Sequence, residues 1–301
     1  MATGAPPKLG FIGFGEAASA LSAGLKEESL TGIRAYDILM DDAEKRGPVE
    51  ARAEQAGVTL DTSAEKLIEK CEIVISAVTS AVALEVAENA AFSLGPAHIY
   101  VDINSVAPQT KHDVGIAVEE TGAKFVEAAV MAAVPLRRHR VPILLCGEAV
   151  ADLMDRLSPY GMDLTDAGAE WGRASATKMC RSIMVKGMEA LLLECVMTAD
   201  RYGVADEVLK SVSESYPSGN WGELADYFAG RTAIHGERRA HEMEEVAVML
   251  ESLNIEPIMA GAAARRIHWG GAQGLKDHFG GVAPATYREV LDVLASRTGK
   301  G

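Results

Sequence analysis

The chain has 301 residues, of which 48% are hydrophobic and 24% charged, a composition typical of soluble globular proteins. Its formal net charge of −14 argues against nucleic acid and anionic membranes as general partners, because both are negatively charged. The length is more than one compact core usually holds, so we expect two domains.

Features of targeting, membrane and metal-binding sequences are missing. Residues 1–7 do not resemble a secretory signal, and no stretch approaches the ~18 consecutive apolar residues of a membrane-spanning helix. The four cysteines include no Cys-x-x-Cys pair, so we expect free buried thiols and no metal site. These observations predict a cytoplasmic protein.

The first element carries a glycine-rich turn. An apolar run from residue 9 leads into a Gly-x-Gly-x-x-Ala pattern at Gly13, Gly15 and Ala18. Gly13 permits the tight turn out of a strand, Gly15 lets the backbone approach a pyrophosphate, and Ala18 lets the next helix pack on the sheet. A second apolar run ends at Asp37, which can accept hydrogen bonds from an adenosine ribose. The order of these features predicts a dinucleotide-binding site.

Short apolar runs alternate with helical stretches in the first half of the chain. Strands are predicted at residues 9–12, 33–36, 73–78, 99–103, 125–128 and 143–146, and helices at 17–26, 42–55, 81–91 and 108–121. Such alternation builds a parallel sheet with helices on both faces.

The pattern changes at residues 168–172, after which we find only helical segments. The first of them, residues 174–202, is long and apolar over most of its surface, so it must be covered by protein. We therefore predict a Rossmann-like α/β domain over residues 1–168 and an all-α domain for substrate binding and dimerisation over residues 169–301.

Three segments together resemble the β-hydroxyacid dehydrogenase family, which contains 3-hydroxyisobutyrate dehydrogenase and 6-phosphogluconate dehydrogenase. They are the glycine-rich opening at residues 10–15, the segment 102–108, and the glycine-bearing turn and helix start at residues 172–178. The second has the spacing of the family signature Asp-x-Ser-Thr-x-x-Pro, with two positions altered. The resemblance runs to about residue 203. It implies hydride transfer between a nicotinamide and an alcohol or carbonyl, with Lys178 as general acid/base, in a homodimer.

A physical argument supports Lys178 independently of the resemblance. It lies near the start of an otherwise apolar helix, where burial would lower the pKa of its ammonium group and allow proton exchange near neutral pH. The alternative is a surface lysine that extends from an interdomain helix.

The cofactor residues that we predict lie in the turn and further along the first half of the chain. They are Gly13, Phe14, Gly15, Glu16, Ala17, Asp37, Val78, Thr79 and Asn104. We expect NAD, because Asp37 would repel a 2′-phosphate and no arginine immediately follows it; NADP is the alternative.

The predicted substrate positions depart from the family. Its Ser-Gly-Gly turn is replaced by Met131, Ala132 and Ala133. Its asparagine three residues after the lysine is replaced by Arg181, with Ser182 next. With Ser105, these residues are the predicted contacts of a small-molecule substrate. The family's later Lys-Asp pair corresponds to residues 241–242, His-Glu.

Several alternatives stay open. An imine reductase would share this architecture but generally lacks a lysine at position 178, and a non-catalytic dinucleotide-binding protein would need no proton donor. The basic run at residues 137–140 is either an anion clamp or a solvated loop. Lys186 either lines the same site as Lys178 or has a structural role.

Overall fold

The computed structural model describes residues 6–216 and 219–297. The expectation that residues 1–7 are not a secretory signal falls mainly on residues 1–5, which lie outside the described part. The chain divides into two compact units, Met1–Lys178 and Met179–Gly301.

The first unit contains, in its described residues 6–178, one sheet of eight strands. The strands are β1 (Leu9–Ile12), β2 (Arg34–Tyr36), β3 (Thr59–Leu60), β4 (Ile73–Ser76), β5 (Ile99–Asp102), β6 (Lys124–Val130), β7 (Ile143–Cys146) and β8 (Leu164–Asp166). Their order in the sheet is β3-β2-β1-β4-β5-β6-β7-β8. The order reverses between β1 and β4, which makes their carboxyl ends the place where such sheets bind ligands.

Helices connect these strands. They are α1 (Glu16–Glu27), α2 (Arg46–Ala56), α3 (Ala64–Ile68), α4 (Ala83–Ala91), α5 (Pro108–Glu119), α6 (Val134–Arg137) and α7 (Val150–Leu157), followed by α8 (Arg173–Arg201). Short 3-10 helices occupy Ile38–Asp41, Ser80–Val82, Arg138–Arg140 and Ser158–Tyr160. Of these elements, β3, β8, α3, α6, α7 and the 3-10 helices were not predicted, and the helix predicted from residue 42 begins at Arg46.

The prediction of a parallel sheet is wrong for one pair of strands. β6 and β7 are antiparallel, whereas the other adjacent pairs are parallel. The physical reason is the connection between them. It contains the four-residue α6 and one 3-10 turn, not the long crossover helix that returns a chain to the starting edge of a sheet.

Both faces of the sheet are buried. Along β5, Ile99 and Val101 belong to one apolar cluster and Tyr100 to the other, and β1 and β4 alternate in the same way. Strands that are covered on both faces read as continuous apolar runs. This burial explains why most central strands were visible in the sequence.

The second unit is helical. Beyond the boundary in α8 it contains α9 (Ala205–Ser215), α10 (Trp221–Ser252), α11 (Ile258–Gly271), α12 (Leu275–His278) and α13 (Tyr287–Arg297). No strand follows β8 in the described ranges, which confirms the predicted α/β and all-α fold class. α10 and α11 approach closely, because a Cβ atom at Gly236 would lie 2.7 Å from the Cα of Gly271. No helix of the described chain is long and apolar enough to span a bilayer.

Candidate functional site

The glycine turn after β1 has the geometry that a pyrophosphate requires. Gly13 has φ of +86°, and a Cβ atom there would collide with the carbonyl of Ala77. Gly15 is the N-cap of α1, and neither a side-chain cap nor a neighbouring atom within 4 Å of its Cβ position closes the space. The free N–H groups of α1 can therefore bind an anion. The turn fits a dinucleotide.

Asp37 and Arg52 hold the backbone of Phe14 from opposite sides. The Phe14 N–H donates to Asp37 Oδ2 at 2.8 Å, and Arg52 Nε donates to the Phe14 carbonyl at 3.1 Å. Asp37 Oδ1 also accepts from the Leu39 N–H at 2.9 Å. Since each carboxylate oxygen has two lone pairs, Asp37 can hold the turn and still accept from a ribose hydroxyl. Arg52 was missed, because its contact with Phe14 spans 38 residues of sequence.

The other predicted cofactor residues surround this turn, although Asn104 has a structural task. Glu16 and Ala17 form the first turn of α1, and Thr79 is exposed beyond β4. The side chain of Asn104 is buried, accepts from the Val78 N–H at 2.7 Å and donates to Ser76 Oγ at 2.9 Å. Asn104 therefore joins the end of β4 to the loop after β5.

The structure brings Lys178 and Ser105 together. Lys178, half-buried in α8, donates from Nζ to Ser105 Oγ at 2.5 Å. Ser105 lies in the loop after β5, at the carboxyl edge of the parallel strands. A primary amine and a hydroxyl thus meet on the edge that carries the glycine turn.

A buried ion pair between Asp102 and Lys111 stabilises the loop that contains Ser105. Asp102 Oδ1 accepts from the Asn104 N–H at 2.7 Å and lies 3.3 Å from Lys111 Nζ, and both charged side chains are fully buried. Lys111 also donates to the Asp102 carbonyl at 2.7 Å. Lys111 was missed, although its spacing from Val114 and Val118 places it on the apolar stripe of a helix.

The segment that replaces the family's Ser-Gly-Gly turn follows β6. Met131 is partly buried and donates its N–H to the Pro142 carbonyl at 2.9 Å, while Ala132 is exposed and Ala133 precedes α6. None of these three side chains can form a conventional hydrogen bond, in contrast to a serine.

The basic run at residues 137–140 binds the end of α1. Arg140 lies 2.6 Å from Glu28, Arg138 pairs with Glu27, and the buried His139 lies 3.5 Å from Glu28. Burial lowers the pKa of His139, an effect that Glu28 opposes. Arg138 and Arg140 therefore already have carboxylate partners, while their side chains are 46% and 67% exposed.

Arg181 and Ser182 belong to the second unit. Arg181 is exposed, whereas Ser182 is buried and accepts from Lys186 Nζ at 3.3 Å. Lys186 is also buried and pairs with Glu242 at 2.6 Å. Burial lowers the pKa of Lys186, and Glu242 opposes that shift. Lys186 is therefore part of an internal ion pair.

A second internal ion pair joins the same two helices, α8 and α10, and the sequence did not predict it. Glu189 is fully buried, accepts twice from Arg239 and once from Thr232 Oγ1 at 2.8 Å. In the described chain, no group of three or more side chains could hold a metal ion.

Comparison with known proteins agrees with this picture of a dinucleotide-binding α/β unit followed by helices. The family described as "NADP oxidoreductase coenzyme F420-dependent" matches residues 8–106, and a domain of unknown function (DUF1932) matches residues 199–270.

Several relatives match most of the chain. An uncharacterized 28.5 kDa protein from the 7S RNA 5′ region of Methanothermus fervidus is 32% identical, over 84% of this chain and 94% of that protein. A conserved hypothetical protein from Sinorhizobium meliloti 1021 is 37% identical, with a TM-score of 0.78 and 98% of each chain covered. The conserved protein MTH1747, of unknown function and structurally similar to 3-hydroxyacid dehydrogenases, is 34% identical, with a TM-score of 0.70 over 91% of this chain and 99% of that chain.

The chain belongs to the family of these proteins, a divergent family of the β-hydroxyacid dehydrogenase type, as the sequence motifs predicted. More distant structures share the fold alone. They include 3-hydroxyisobutyrate dehydrogenase of Mycobacterium tuberculosis (17% identity, TM-score 0.70, 97% of this chain and 100% of that chain) and an imine reductase of Myxococcus stipitatus (16%, 0.59, 95% and 100%).

Proposed function

We propose that this protein is an NAD(P)-dependent oxidoreductase in which Lys178 exchanges a proton with the oxygen of an alcohol or carbonyl substrate. The observation that carries the proposal is the contact between Lys178 Nζ and Ser105 Oγ at 2.5 Å, on the sheet edge that also carries the open glycine turn. A bound nicotinamide would supply or accept the hydride.

Each residue then has a defined task. The N–H groups at the start of α1 bind the pyrophosphate, and Asp37 accepts from the adenosine ribose while it holds the turn. Ser105 orients the amine of Lys178 through its hydroxyl oxygen. A positioned acid/base of this kind contributes about 10²–10⁴-fold to a rate.

The predicted substrate contacts of the first unit are Ser105 and the apolar segment at residues 131–133, and those of the second unit are Arg181 and Ser182. Arg181 is the one cation of this set, and we assign it to an anionic group of the substrate. Arg181→Asn should then raise KM more than it lowers kcat. An unchanged KM would remove Arg181 from the site.

The test compares two lysines of α8. Hydroxy acids, aldehydes, ketones and cyclic imines are first screened with both cofactors for turnover. Lys178→Met should then lower kcat by about 10²–10⁴-fold with little change in the dissociation constant of NADH. Lys186→Met is the matched control and should affect kcat far less, because Lys186 is paired with Glu242. An active Lys178→Met enzyme would refute the assignment.

Imine reduction is the second candidate. It is favoured by residues 131–133, whose side chains present no donor or acceptor to a substrate carboxylate. Turnover of cyclic imines but not of hydroxy acids in the same screen would select it. Cofactor binding without turnover of any substrate class would instead support a non-catalytic dinucleotide-binding protein.

We assign NAD as the preferred cofactor. The carboxylate of Asp37 would repel a 2′-phosphate, and the residue that follows is Ile38. Dissociation constants for NADH and NADPH provide the test, and a tenfold preference for NADPH would overturn the assignment.

We also infer a homodimer formed through α8. Met184 and Leu191 are 64% and 61% exposed, and their spacing of seven residues places them on one face of the helix. Light scattering at micromolar concentration should give about twice the 31.9 kDa of one chain. A mass equal to one chain would contradict the dimer.

A further inference from the structure

Three buried residues form a row across the sheet at the level of the proposed site. Glu127 on β6 is in register with Asp102 on β5 and with Cys146 on β7. All three are fully buried. Because residues in register on neighbouring strands point to the same face of a sheet, their side chains form one continuous row.

Glu127 binds the beginning of α8. Its Oε1 accepts from the Ser175 N–H at 2.7 Å, and its Oε2 accepts from the Gly172 N–H. Gly172 directly precedes the helix and Ser175 is its third residue. The first N–H groups of a helix have no partner within the helix and carry partial positive charge, so a carboxylate is their natural acceptor.

Cys146 lies beside Glu127 at the start of α8. We call the group formed by Glu127, Cys146 and the N–H groups of residues 172–175 the socket. The Ala174 N–H faces the Cys146 sulfur. Burial raises the pKa of the Cys146 thiol to about 11, and the carboxylate of Glu127 acts in the same direction. The thiol is therefore neutral near pH 7, and the two oxygens of Glu127 are the hydrogen-bond acceptors of the socket.

The two carboxylates of the row hold the two partners of the proposed catalytic contact. Asp102 accepts from the Asn104 N–H, and so fixes the loop that presents Ser105. Glu127 fixes α8 at Ser175, one helical turn before Lys178. The row therefore binds the backbone of both segments that carry the contact, and in these hydrogen bonds neither carboxylate accepts from Lys178 Nζ.

We propose that Glu127 is a positioning residue for Lys178, which it keeps in contact with Ser105 by anchoring the first turn of α8 to β6. The expected effect on turnover rests on the proposed function. The anchoring of α8 by Glu127 does not depend on it. Asp102 has a compensating cation in Lys111, whereas Glu127 is neutralised by helix N–H groups. Loss of the Glu127 carboxylate therefore weakens the hydrogen bonds that hold the first turn of α8.

The test is Glu127→Gln, which preserves shape but turns an amide NH2 toward one of the two backbone N–H groups. We expect kcat to fall by about 10–100-fold, since a displacement of about 1 Å in a catalytic group has such an effect. KM and the dissociation constant of NADH should stay within about twofold. In a crystal structure of the variant, Lys178 Nζ and Ser105 Oγ should be separated by more than about 3.5 Å.

Val126→Ala is the matched control. Val126 is the preceding residue of β6, is equally buried and packs in the cluster on the opposite face of the sheet. Its truncation should destabilise the first unit through a cavity but leave kcat and the Lys178–Ser105 contact intact. Assays are run at a temperature at which circular dichroism shows every variant folded.

Two results would overturn the inference. One is a Glu127→Gln enzyme with wild-type kcat and an intact contact with Ser105. The other is an equal loss of kcat in Glu127→Gln and Val126→Ala, which would indicate general destabilisation. An active Lys178→Met enzyme would refute the proposed function, and the crystal structure of Glu127→Gln would still decide the positioning of Lys178.

Discussion

Glu189→Met in the second unit should lower the free energy of unfolding by about 3–5 kcal/mol. Glu189 is fully buried, and Arg239 is 6% exposed. The guanidinium donates to both oxygens of the carboxylate, and Thr232 donates to Oε1 at 2.8 Å. Burial by itself would lower the pKa of Arg239, but hydrogen bonds to Glu189 raise it. Methionine has a similar volume, so the variant mainly removes the charge and its acceptors.

The magnitude follows from what the substitution leaves behind. Arg239 remains buried and charged without its hydrogen-bond acceptors, and a buried ion without a partner costs several kcal/mol. The double variant Glu189→Met/Arg239→Met leaves no such ion. It should therefore be within about 2 kcal/mol of the wild type, which makes the two substitutions strongly non-additive.

Urea denaturation followed by circular dichroism at 222 nm measures these differences, with a constant m-value as the condition for comparison. The matched control is Glu194→Met, five residues further along α8. Glu194 pairs with Arg266 at 2.7 Å, but its side chain is 61% exposed. The control should change stability by less than about 1 kcal/mol, because exposed ion pairs are weak. Equal losses for Glu189→Met and Glu194→Met would refute the argument from burial.

Three further predictions concern the first unit and the cysteines. Gly15→Ala should retain the melting temperature but weaken NADH binding about tenfold or more in calorimetry, because its Cβ would occupy the open space at the turn. Gly13→Ala should instead lose about 1–3 kcal/mol in urea melts, since φ is +86° there, and equal stability of the two variants would contradict this contrast. Burial lowers the pKa of His139 below 6.5, so the unfolded chain binds a proton at a higher pH than the folded chain does. The neutral ring therefore contributes stability above pH 6.5, and this contribution is lost as the pH falls through the lower pKa of the folded state. His139→Gln should therefore lose less stability than the wild type between pH 7.5 and 5.5, and parallel curves would exclude this role. Cys146, buried with a thiol pKa of about 11, should resist iodoacetamide at pH 8 in the folded protein and be alkylated once urea has unfolded it; comparable labelling in both states, measured by mass spectrometry, would count against this prediction.

Much of the fold could be predicted because it depends on local patterns. The central strands are apolar throughout, since both faces of the sheet are covered. The glycine turn is specified by backbone geometry at Gly13 and Gly15, and α8 by its long apolar pattern. β3 and β8 escaped prediction because they are short edge strands. β7 was predicted as a strand, but its antiparallel direction was not, because strand direction depends on how the chain returns to the sheet.

The residues of the candidate site also fall into those that the sequence identified and those whose role only the structure shows. Residue type and spacing selected the glycine turn, whereas Ser105 came from the resemblance to the β-hydroxyacid dehydrogenase family and Lys178 from that resemblance together with its place on an apolar helix; the structure brings Lys178 and Ser105 into contact. Residue type and spacing did not show that Asn104 joins the end of β4 to the loop after β5. They also did not separate Lys186, held in an internal ion pair, from a residue of the site.

What the sequence by itself determined is the dinucleotide turn, the order of strands and helices and the lysine at the start of α8. Only the tertiary structure decided which charged groups are buried and what they hold, as for Glu127 and Lys111. The physical reason is that a turn or a helix depends on neighbours within a few residues. The environment of Glu127 is set instead by N–H groups 45 and 48 residues away, which no local pattern specifies.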